Sequence, residues 1–209
     1  MTETPPPDET CNSGDDSAWV AIETPYDAKW LSGFLDDVER LFRINSQMVF
    51  TKWEDLGNNE YHIVADNLSN EKTINTGFKA DRIGDTLTLT YSQGLKTTTT
   101  FRIEPQANGT ANLVITDDYG GTPADQRQAR IDEVDKSLIQ WGRDLRLYLL
   151  TWKKWARLPG WKWYMLRVWQ PMRPMARRIC YLLIMITLLE FIAFLMVFTI
   201  FWLALDKYL

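Results

Sequence analysis

The sequence predicts an α+β fold in which a seven-stranded antiparallel sheet wraps around a long helix, followed by an interfacial segment and one transmembrane helix. Three observations predict it. Short segments of alternating polarity are separated by turn residues, an amphipathic helical pattern follows them, and one long apolar run lies near the end of the sequence. Strands followed by a helix are typical of a sheet that has one face packed on helices.

Seven segments have the alternation of apolar and polar residues that favours β-strands. Turn residues such as Asn58, Gly84 and Gly109 separate them, so neighbouring strands are expected to pair antiparallel. The predicted strands cover residues 17–24, 47–54, 60–67, 71–80, 85–92, 96–104 and 110–118.

Two helical patterns accompany the strands. Apolar residues recur every three or four positions from about Tyr26 to Phe42, which predicts one helix there. Thr122-Pro123 is expected to begin a longer helix that runs to Arg157, because proline is favoured in a first turn. Its apolar stripe is predicted to face the concave side of the sheet and consists of Ile131, Val134, Leu138, Trp141, Leu145, Tyr148, Leu149 and Trp152.

Residues 179–205 form the apolar run, and Glu190 is the only formal charge in it. At about 1.5 Å per residue, a helix of this length spans a hydrocarbon core of roughly 30 Å. A core helix of a soluble domain is the alternative, but such helices are rarely apolar on every face. The run therefore predicts one membrane-spanning helix, followed by a short tail of residues 206–209.

The two flanks of the apolar run differ in charge. Residues 152–180 carry eight basic and no acidic side chains. Because Lys and Arg are enriched on the cytoplasmic side, the amino-terminal domain is expected in the cytoplasm, at an inner (cytoplasmic) membrane. Residues 1–16 lack the basic and apolar regions of a secretory signal and are expected to be a disordered tail.

Basic and aromatic residues are concentrated before the spanning helix, mainly in residues 158–178, which we call the collar. Indole rings favour the headgroup region of a bilayer, and each Lys or Arg near an anionic surface contributes roughly 1 kcal/mol. The alternative is that the tryptophans pack into the core of the soluble domain. The predicted membrane surface consists of Lys153, Lys154, Trp155, Arg157, Trp161, Lys162, Trp163, Arg167, Trp169, Arg173, Arg177 and Arg178.

The charge and composition of the soluble domain disfavour several classes of partner. Residues 1–151 hold 25 acidic and 14 basic side chains, a net charge of −11, which does not favour nucleic acid. The two cysteines, Cys11 and Cys180, are too few for a disulfide framework. With a single histidine, His62, and no cysteine cluster, neither a metal nor another cofactor is expected.

Two short runs carry a resemblance to a known superfamily. They are residues 37–45 (DVERLFRIN), which follow the first strand, and residues 135–142 (DKSLIQWG) in the last helix. With the order of strand, helix, six strands and long helix, they make residues 17–157 similar to the helix-grip fold of the START-like polyketide cyclase and lipid-transfer superfamily (SRPBCC).

This resemblance implies a hydrophobic cavity between the sheet and the long helix, and hence a lipid, sterol, polyketide or other apolar ligand. Apolar pockets are the usual sites for small molecules, and the alternative is that the same residues fill a solid core. The candidate lining residues are Phe50, Tyr61, Ile63, Phe78, Leu87, Leu89, Tyr91, Phe101, Leu113, Ile115, Leu138 and Trp141.

No catalytic constellation is predicted. Strand alternation puts His62 on the face opposite its apolar neighbours, so we expect it to face solvent. The acids of residues 36–39 could bind a cation, but beside Arg40 and Arg43 they are typical of a solvated helix face. Residues 117–121 are expected to end the last strand.

Glu190 lies near the middle of the apolar run, where a carboxyl group is costly and usually faces protein or water. Together with Thr187 and Ala193 it forms a narrow face suited to a helix of another integral membrane protein or of a second copy. The alternative is a protonated acid without a role.

Three functional hypotheses follow. The leading one is a non-enzymatic, membrane-anchored cytoplasmic domain that binds or transfers a lipid or other hydrophobic ligand. The second is an accessory subunit of an integral membrane complex, docked through the transmembrane helix and Glu190. A cyclase or aromatase ranks lowest, because the sequence yields no polar constellation for the interior of the cavity.

Overall fold

The computed structural model describes residues 17–121 and 134–206. It divides into two compact units, Met1–Gln170 and Pro171–Leu209. The predicted tail of residues 1–16 and the last three residues lie outside the described residues.

The first unit contains the predicted seven-stranded antiparallel sheet. Its strands are β1 (Ser17–Glu23), β2 (Met48–Gly57), β3 (Glu60–Asn67), β4 (Lys72–Ile83), β5 (Thr86–Tyr91), β6 (Thr98–Pro105) and β7 (Ala111–Asp118). They lie in the order β1-β7-β6-β5-β4-β3-β2. At the β2–β3 turn, Asn58 and Asn59 adopt φ of 53° and 61°, the left-handed region that a two-residue hairpin turn requires and asparagine tolerates.

The first helical region contains two helices, α1 (Ala28–Leu35) and α2 (Val38–Ile44), so the prediction of one continuous helix is wrong. Asp36 lies between them, followed by Asp37. The Asp37 carboxylate accepts a hydrogen bond from the Arg40 backbone N–H at 3.0 Å and caps the start of α2. A side chain that bonds to the backbone in this way competes with helix continuation.

The long helix, α3, spans Leu138–Trp155. Its predicted start at Thr122-Pro123 falls outside the described residues, and residues 134–137 are not helical. Their path differs from the prediction because the Asp135 carboxylate accepts the Ser137 backbone N–H at 2.9 Å. From Leu138 onward the predicted apolar stripe is buried, as expected.

Packing of α3 on the sheet is closest at Gly142. A Cβ at this position would lie 3.0 Å from Val20 Cγ1 and 3.3 Å from Ile22 Cγ2, so glycine allows the helix backbone to approach β1. The neighbouring Trp141 donates its indole N–H to the Leu41 carbonyl at 2.8 Å. These contacts join α3 to both the sheet and α2.

A buried arginine joins α2 to the second half of α3. Arg40 is 9% exposed, and its guanidinium carbon lies 4.8, 5.1 and 4.2 Å from the ring centroids of Phe34, Tyr148 and Trp152. Its Nε donates to the Tyr148 hydroxyl at 2.9 Å. Of the acids expected on a solvated face beside it, Asp36 is exposed, but Arg40 itself lies in the interior, where three aromatic rings stabilise its charge.

Residues 161–170 pack against the rest of the first unit. A short helix, α4 (Trp161–Tyr164), begins after Gly160, whose φ is 80°, and one π-helical turn (Met165–Trp169) follows. Met165 is buried, and the Trp169 ring lies 5.3 Å from that of Tyr148. The predicted break in the helix at Pro159-Gly160 is confirmed.

The described part of the second unit contains one helix, α5 (Pro174–Asp206). Among the described helices, it alone is long and apolar enough to cross a membrane, over Pro174–Ala204, and its most apolar stretch of 18 residues has a mean hydropathy of 2.6. Proline at the first position is harmless, because that residue's N–H has no partner within a helix. The predicted spanning residues from Ile179 onward all lie within α5.

The close approach at Gly142 predicts that a large side chain there destabilises the fold. In Gly142→Leu the added atoms would overlap Val20 and Ile22, and we expect the free energy of unfolding to fall by about 1–3 kcal/mol. Denaturation of the full chain in mild detergent, followed by tryptophan fluorescence, measures this change. Arg146→Leu, at an exposed position of the same helix, is the matched control, and an equal loss there would contradict the packing argument.

Candidate functional site

A cavity of about 540 Å³ lies at the end of the sheet where α3 begins. β3 and β5 end at this edge, and β4 and β6 begin there. The volume is that of a site for one small molecule. The lining residues are Phe42, Asn45, Met48, Ile63, Asn67, Asn70, Lys72, Thr73, Ile74, Asn75, Thr76, Tyr91, Gln93, Gly94, Leu95, Lys96, Tyr119, Asp135 and Trp141.

The inner wall of the cavity is apolar. The rings of Phe42 and Trp141 lie 5.4 Å apart, and Ile63, Met48 and Leu95 are buried beside them. An apolar wall of this kind favours a ligand that has hydrocarbon or ring surface to bury.

Of the twelve residues predicted to line a cavity, Ile63, Tyr91 and Trp141 line this one. The other nine pack in or against the hydrophobic core, because the large side chains of the central strands meet α3 directly. Most of the interior is therefore filled, as in the alternative of a solid core. These nine are Phe50, Tyr61, Phe78, Leu87, Leu89, Phe101, Leu113, Ile115 and Leu138.

A largely buried cation lies between two carboxylates at the polar end of the cavity. Lys96 Nζ is 2.8 Å from Asp117 Oδ2 and 2.8 Å from Asp135 Oδ2. The other oxygen of Asp117 accepts a hydrogen bond from the Thr99 hydroxyl at 2.5 Å, and that hydroxyl is 3.2 Å from the Tyr91 hydroxyl. We call Lys96, Asp117 and Asp135 the ion network.

Asp135 fixes the segment that leads into α3. Its Oδ1 accepts the Ser137 backbone N–H at 2.9 Å and the Asn67 amide at 3.0 Å. The Asn45 amide in turn donates to the Ser137 hydroxyl at 3.0 Å. The polar wall is thus built by hydrogen bonds within the chain, which hold it in one geometry.

Burial and pairing shift the pKa values of the ion network. Burial alone would lower the pKa of Lys96, but the carboxylates of Asp117 and Asp135 outweigh it and raise that pKa well above its ordinary value. Burial raises the pKa of Asp117 despite the nearby ammonium. For Asp135, burial is outweighed by Lys96 and by hydrogen bonds, which hold its pKa well below the usual range. Burial raises the pKa of Tyr91 to about 12.

The chemistry of the cavity follows from these protonation states. Lys96 is an ammonium ion at neutral pH, so it donates hydrogen bonds and does not serve as a base. Lys96 faces two carboxyl groups within the ion network, and a second cation, Lys72, lines the same cavity, so the wall offers both a carboxylate acceptor and ammonium donors to a ligand. No group of His, Cys, Asp and Glu within residues 17–121 and 134–206 could hold a metal ion.

The other polar residues considered from the sequence lie outside the cavity. The His62 Nε2 is 2.9 Å from Asn75 Oδ1, and its Nδ1 is 3.5 Å from Glu54 Oε2. Asp36 forms an ion pair with Arg82 at 3.0 Å. These groups are engaged in ordinary contacts of a protein surface.

Sequence reasoning missed Lys96 and took Asp117 for the end of a strand. The strand pattern carried part of the signal, because Leu113, Ile115 and Asp117 alternate onto one face, which places a carboxylate in the interior. Lys96 precedes β6, and only the register that sets Thr99 opposite Asp117 brings the lysine to this carboxylate.

The residues of the predicted membrane surface fall into two groups within the first unit. Trp161 and Trp169 are half-buried and pack against the core, as in the alternative considered above. Lys153 donates to the Pro25 carbonyl at 2.6 Å. The exposed residues are Lys153, Lys154, Trp155, Arg157, Lys162, Trp163 and Arg167.

The remaining predicted residues belong to the second unit. Arg173, Arg177 and Arg178 lie at the start of this unit. Thr187, Glu190 and Ala193 follow one another at intervals of three residues along α5, so they lie on one side of that helix.

Comparison with known proteins supplies similarities of fold. No protein-family model and no curated protein sequence matches the chain. One similar solved structure is a START superfamily protein from Mycobacterium smegmatis, with 12% sequence identity, a TM-score of 0.49, and coverage of 65% of this chain and 97% of that chain. An AHSA1-like protein from Aeromonas hydrophila has 11% identity and a TM-score of 0.39, with coverage of 63% of this chain and 93% of that chain. A protein from Deinococcus radiodurans has 15% identity and a TM-score of 0.42, with coverage of 64% of this chain and 98% of that chain. At such identities the similarity concerns the arrangement of strands and helices and carries over no ligand or activity.

The fold class follows from the topology of the chain itself. One antiparallel sheet of seven strands packs on the long helix α3, after two short helices that follow β1. This is the START-like, helix-grip arrangement, and the predicted fold is confirmed.

Removing the cation of the ion network is expected to lower the stability of the fold in a pH-dependent way. In Lys96→Met the buried Asp117 carboxylate loses its partner, and the free energy of unfolding should fall by about 3–5 kcal/mol near pH 8. The pKa of Asp117, already raised by burial, rises further in the variant. A carboxyl group with a raised pKa in the folded state destabilises only where it is ionised, so the loss should shrink as the pH falls toward about 5.

Denaturation of the full chain at both pH values measures this effect. Lys79→Met is the matched control, because it removes an exposed ammonium that pairs with Asp81 at 3.1 Å, and it should cost less than about 1 kcal/mol. A loss for Lys96→Met that is independent of pH would contradict the role given to Asp117.

Proposed function

We propose that this chain is a membrane-anchored, non-enzymatic domain that binds a small amphipathic ligand. The observation that carries the proposal is the cavity at the start of α3, with an apolar inner wall and the ion network at one end. Binding in such a cavity needs no catalytic group.

The apolar wall supports the hydrophobic part of the ligand. Rings or chains would lie against Phe42, Ile63 and Trp141, and burial of apolar surface contributes about 25 cal/mol per Å². A volume of about 540 Å³ suits one small molecule, such as a ring system or a single hydrocarbon chain with a polar end.

The polar wall of the cavity supports a polar end on the ligand. A hydroxyl or amine could donate to the Asp135 carboxylate, and Asn67 and Tyr119 lie in the same wall. Lys72 also lines the cavity, so an acceptor group of the ligand could receive a hydrogen bond from a cation. The proposal therefore narrows the predicted hydrophobic ligand to an amphipathic one with a polar end.

The second unit supports the anchoring part of the proposal. By length and composition α5 can span a membrane, and the eight basic residues before its apolar part favour a cytoplasmic position for the first unit. In this arrangement the ligand would be exchanged with the cytoplasm or with the inner leaflet. The cavity lies at the start of α3. The 18 residues of this helix extend about 27 Å from the cavity to the end of α3, shortly before the collar begins in the sequence.

Filling the cavity tests the proposal. Ile63→Trp places an indole into the inner wall, whereas Val64→Trp, on the other face of β3, is the matched control. Full chain purified in lipid nanodiscs should carry a bound small molecule, detected by mass spectrometry of extracts and depleted about tenfold or more in Ile63→Trp. Both variants should unfold within a few degrees of the parent chain. Equal amounts of the molecule in both variants, or none in the parent chain, would refute ligand binding in this cavity.

A second candidate function is that of an accessory subunit in a membrane complex. The observation that favours it is Glu190, an exposed carboxyl group on a helix whose surroundings are apolar. In a bilayer such a group is stabilised by a partner that donates a hydrogen bond.

Glu190→Leu distinguishes this candidate from a simple anchor. If Glu190 contacts a partner, membrane proteins that co-purify with the parent chain in mild detergent should be lost in the variant, while the chain remains in the membrane fraction. Leu189→Ala on the neighbouring position is the control. Unchanged co-purification, or no partner with either chain, would exclude the contact.

A further inference from the structure

The surface of α3 that faces away from the sheet has no part in ligand binding, yet its composition is unusual for a solvent-exposed helix. We propose that this surface lies on the headgroups of an anionic bilayer, so that α3 rests along the membrane. The inference rests on the proposed function in one respect, the anchoring of the chain by α5.

Three apolar and three basic residues form this outer face of α3. Ile139, Leu147 and Leu150 are 55%, 54% and 39% exposed. With 3.6 residues per turn, these residues and the intervening basic ones fall within an arc of about 100° opposite the buried stripe. The outer face consists of Ile139, Arg143, Arg146, Leu147, Leu150 and Lys154, all exposed.

No acid accompanies the basic residues on the outer face. The single acid of α3, Asp144, points elsewhere, since its two carboxylate oxygens accept the Ser46 backbone N–H and the Gln140 amide, each at 2.8 Å. Exposed helices commonly place acids three or four residues from their cations. Residues 1–151 carry a net charge of −11, so a face that bears only cations is the exception in this chain.

The same composition continues beyond the end of α3. Leu158, Trp163 and Leu166 are exposed, and the exposed cations Arg157, Lys162 and Arg167 alternate with them. After Gln170 only three residues precede the first residue of α5. The outer face is thus continuous in sequence with the segment that leads to the spanning helix.

A bilayer suits this face better than a protein partner does. The centre of a protein interface is depleted in charged residues and gathers its apolar residues into one dry patch. Here each apolar side chain has a cation beside it. At a bilayer surface both are accommodated, because ammonium and guanidinium groups reach phosphates while Leu, Ile and Trp enter the boundary with the acyl chains.

Fluorescence quenching in vesicles tests the proposal on the full chain. Cys11 and Cys180 are replaced by serine, and one cysteine labelled with a fluorophore is placed at Leu147, at Leu150 or, as a control, at the exposed Thr90 of β5. The chain is reconstituted in phosphatidylcholine with about one third phosphatidylglycerol, and a headgroup spin-labelled lipid is the quencher. Labels at positions 147 and 150 should be quenched strongly, and the label at position 90 should not. High salt should weaken the quenching.

Charge variants distinguish docking through the outer face of α3 from a general effect of the net charge of the chain. The triple variant Arg143→Gln, Arg146→Gln and Lys154→Gln should shift the docking equilibrium about a hundredfold toward the undocked state, since each cation contributes about fivefold. The matched triple variant Lys52→Gln, Lys79→Gln and Arg102→Gln removes three exposed cations of the sheet and should leave the quenching unchanged.

Flotation of the vesicles reports anchoring by α5 separately. A chain that floats with the vesicles but shows no quenching at positions 147 and 150 would overturn this inference and leave the anchor in place. A chain that does not float would overturn both. Quenching as strong in phosphatidylcholine alone would overturn the role of anionic headgroups, and a label shielded from water but not quenched by lipid would assign the face to a protein partner.

Discussion

Packing of α3 into the concave face of the sheet determines where each functional feature of the first unit lies. Gly142 allows the helix backbone to approach β1, and the indole of Trp141 hydrogen-bonds to the Leu41 carbonyl. With the rotation of α3 fixed by these contacts, its first turn closes the cavity and its basic face must point outward. If α3 were rotated by a fraction of a turn, its arginines would be buried and its apolar stripe exposed. Burial of unpaired charges costs more free energy than the small net stability of a folded domain.

The cavity exists because the side chains that face α3 are large and apolar at the middle of the helix but polar at its start. In the middle of the sheet large apolar side chains such as Phe101 and Leu145 fill the space against the helix. Toward the start of α3 the wall is made by amides and by the ion network, whose groups are held in place by one another. Buried charges are tolerated there because Lys96 is shared by two carboxylates and each carboxylate accepts further hydrogen bonds. A rigid polar wall next to an apolar one supports the proposed binding of an amphipathic molecule.

The second half of α3 serves a different purpose. Arg40 lies among three aromatic rings and joins α2 to the helix, and Trp169 packs on Tyr148, so the first part of the collar belongs to the folded unit. The cations and exposed apolar side chains lie on the outside of the same region. A single helix thereby separates the proposed ligand site from the proposed membrane surface, one at its start and the other along its outer face and beyond its end.

The sequence by itself determined the seven strands, the antiparallel arrangement and the apolar helix, because each depends on a local period of polarity or on uninterrupted length. It also indicated which residues of α3 are buried from Leu138 onward. The division into α1 and α2 depends on a local cap, Asp37, which the period of apolar residues does not show. The start of α3 and the burial of Arg40 were decided by the tertiary structure, because Lys96 and Asn67 hold Asp135 and three aromatic rings surround Arg40. The cavity was decided in the same way. Only the strand register brings Lys96 to Asp117, and whether the side chains facing α3 fill the space or leave a gap depends on how closely the helix approaches, which no pattern along the chain encodes.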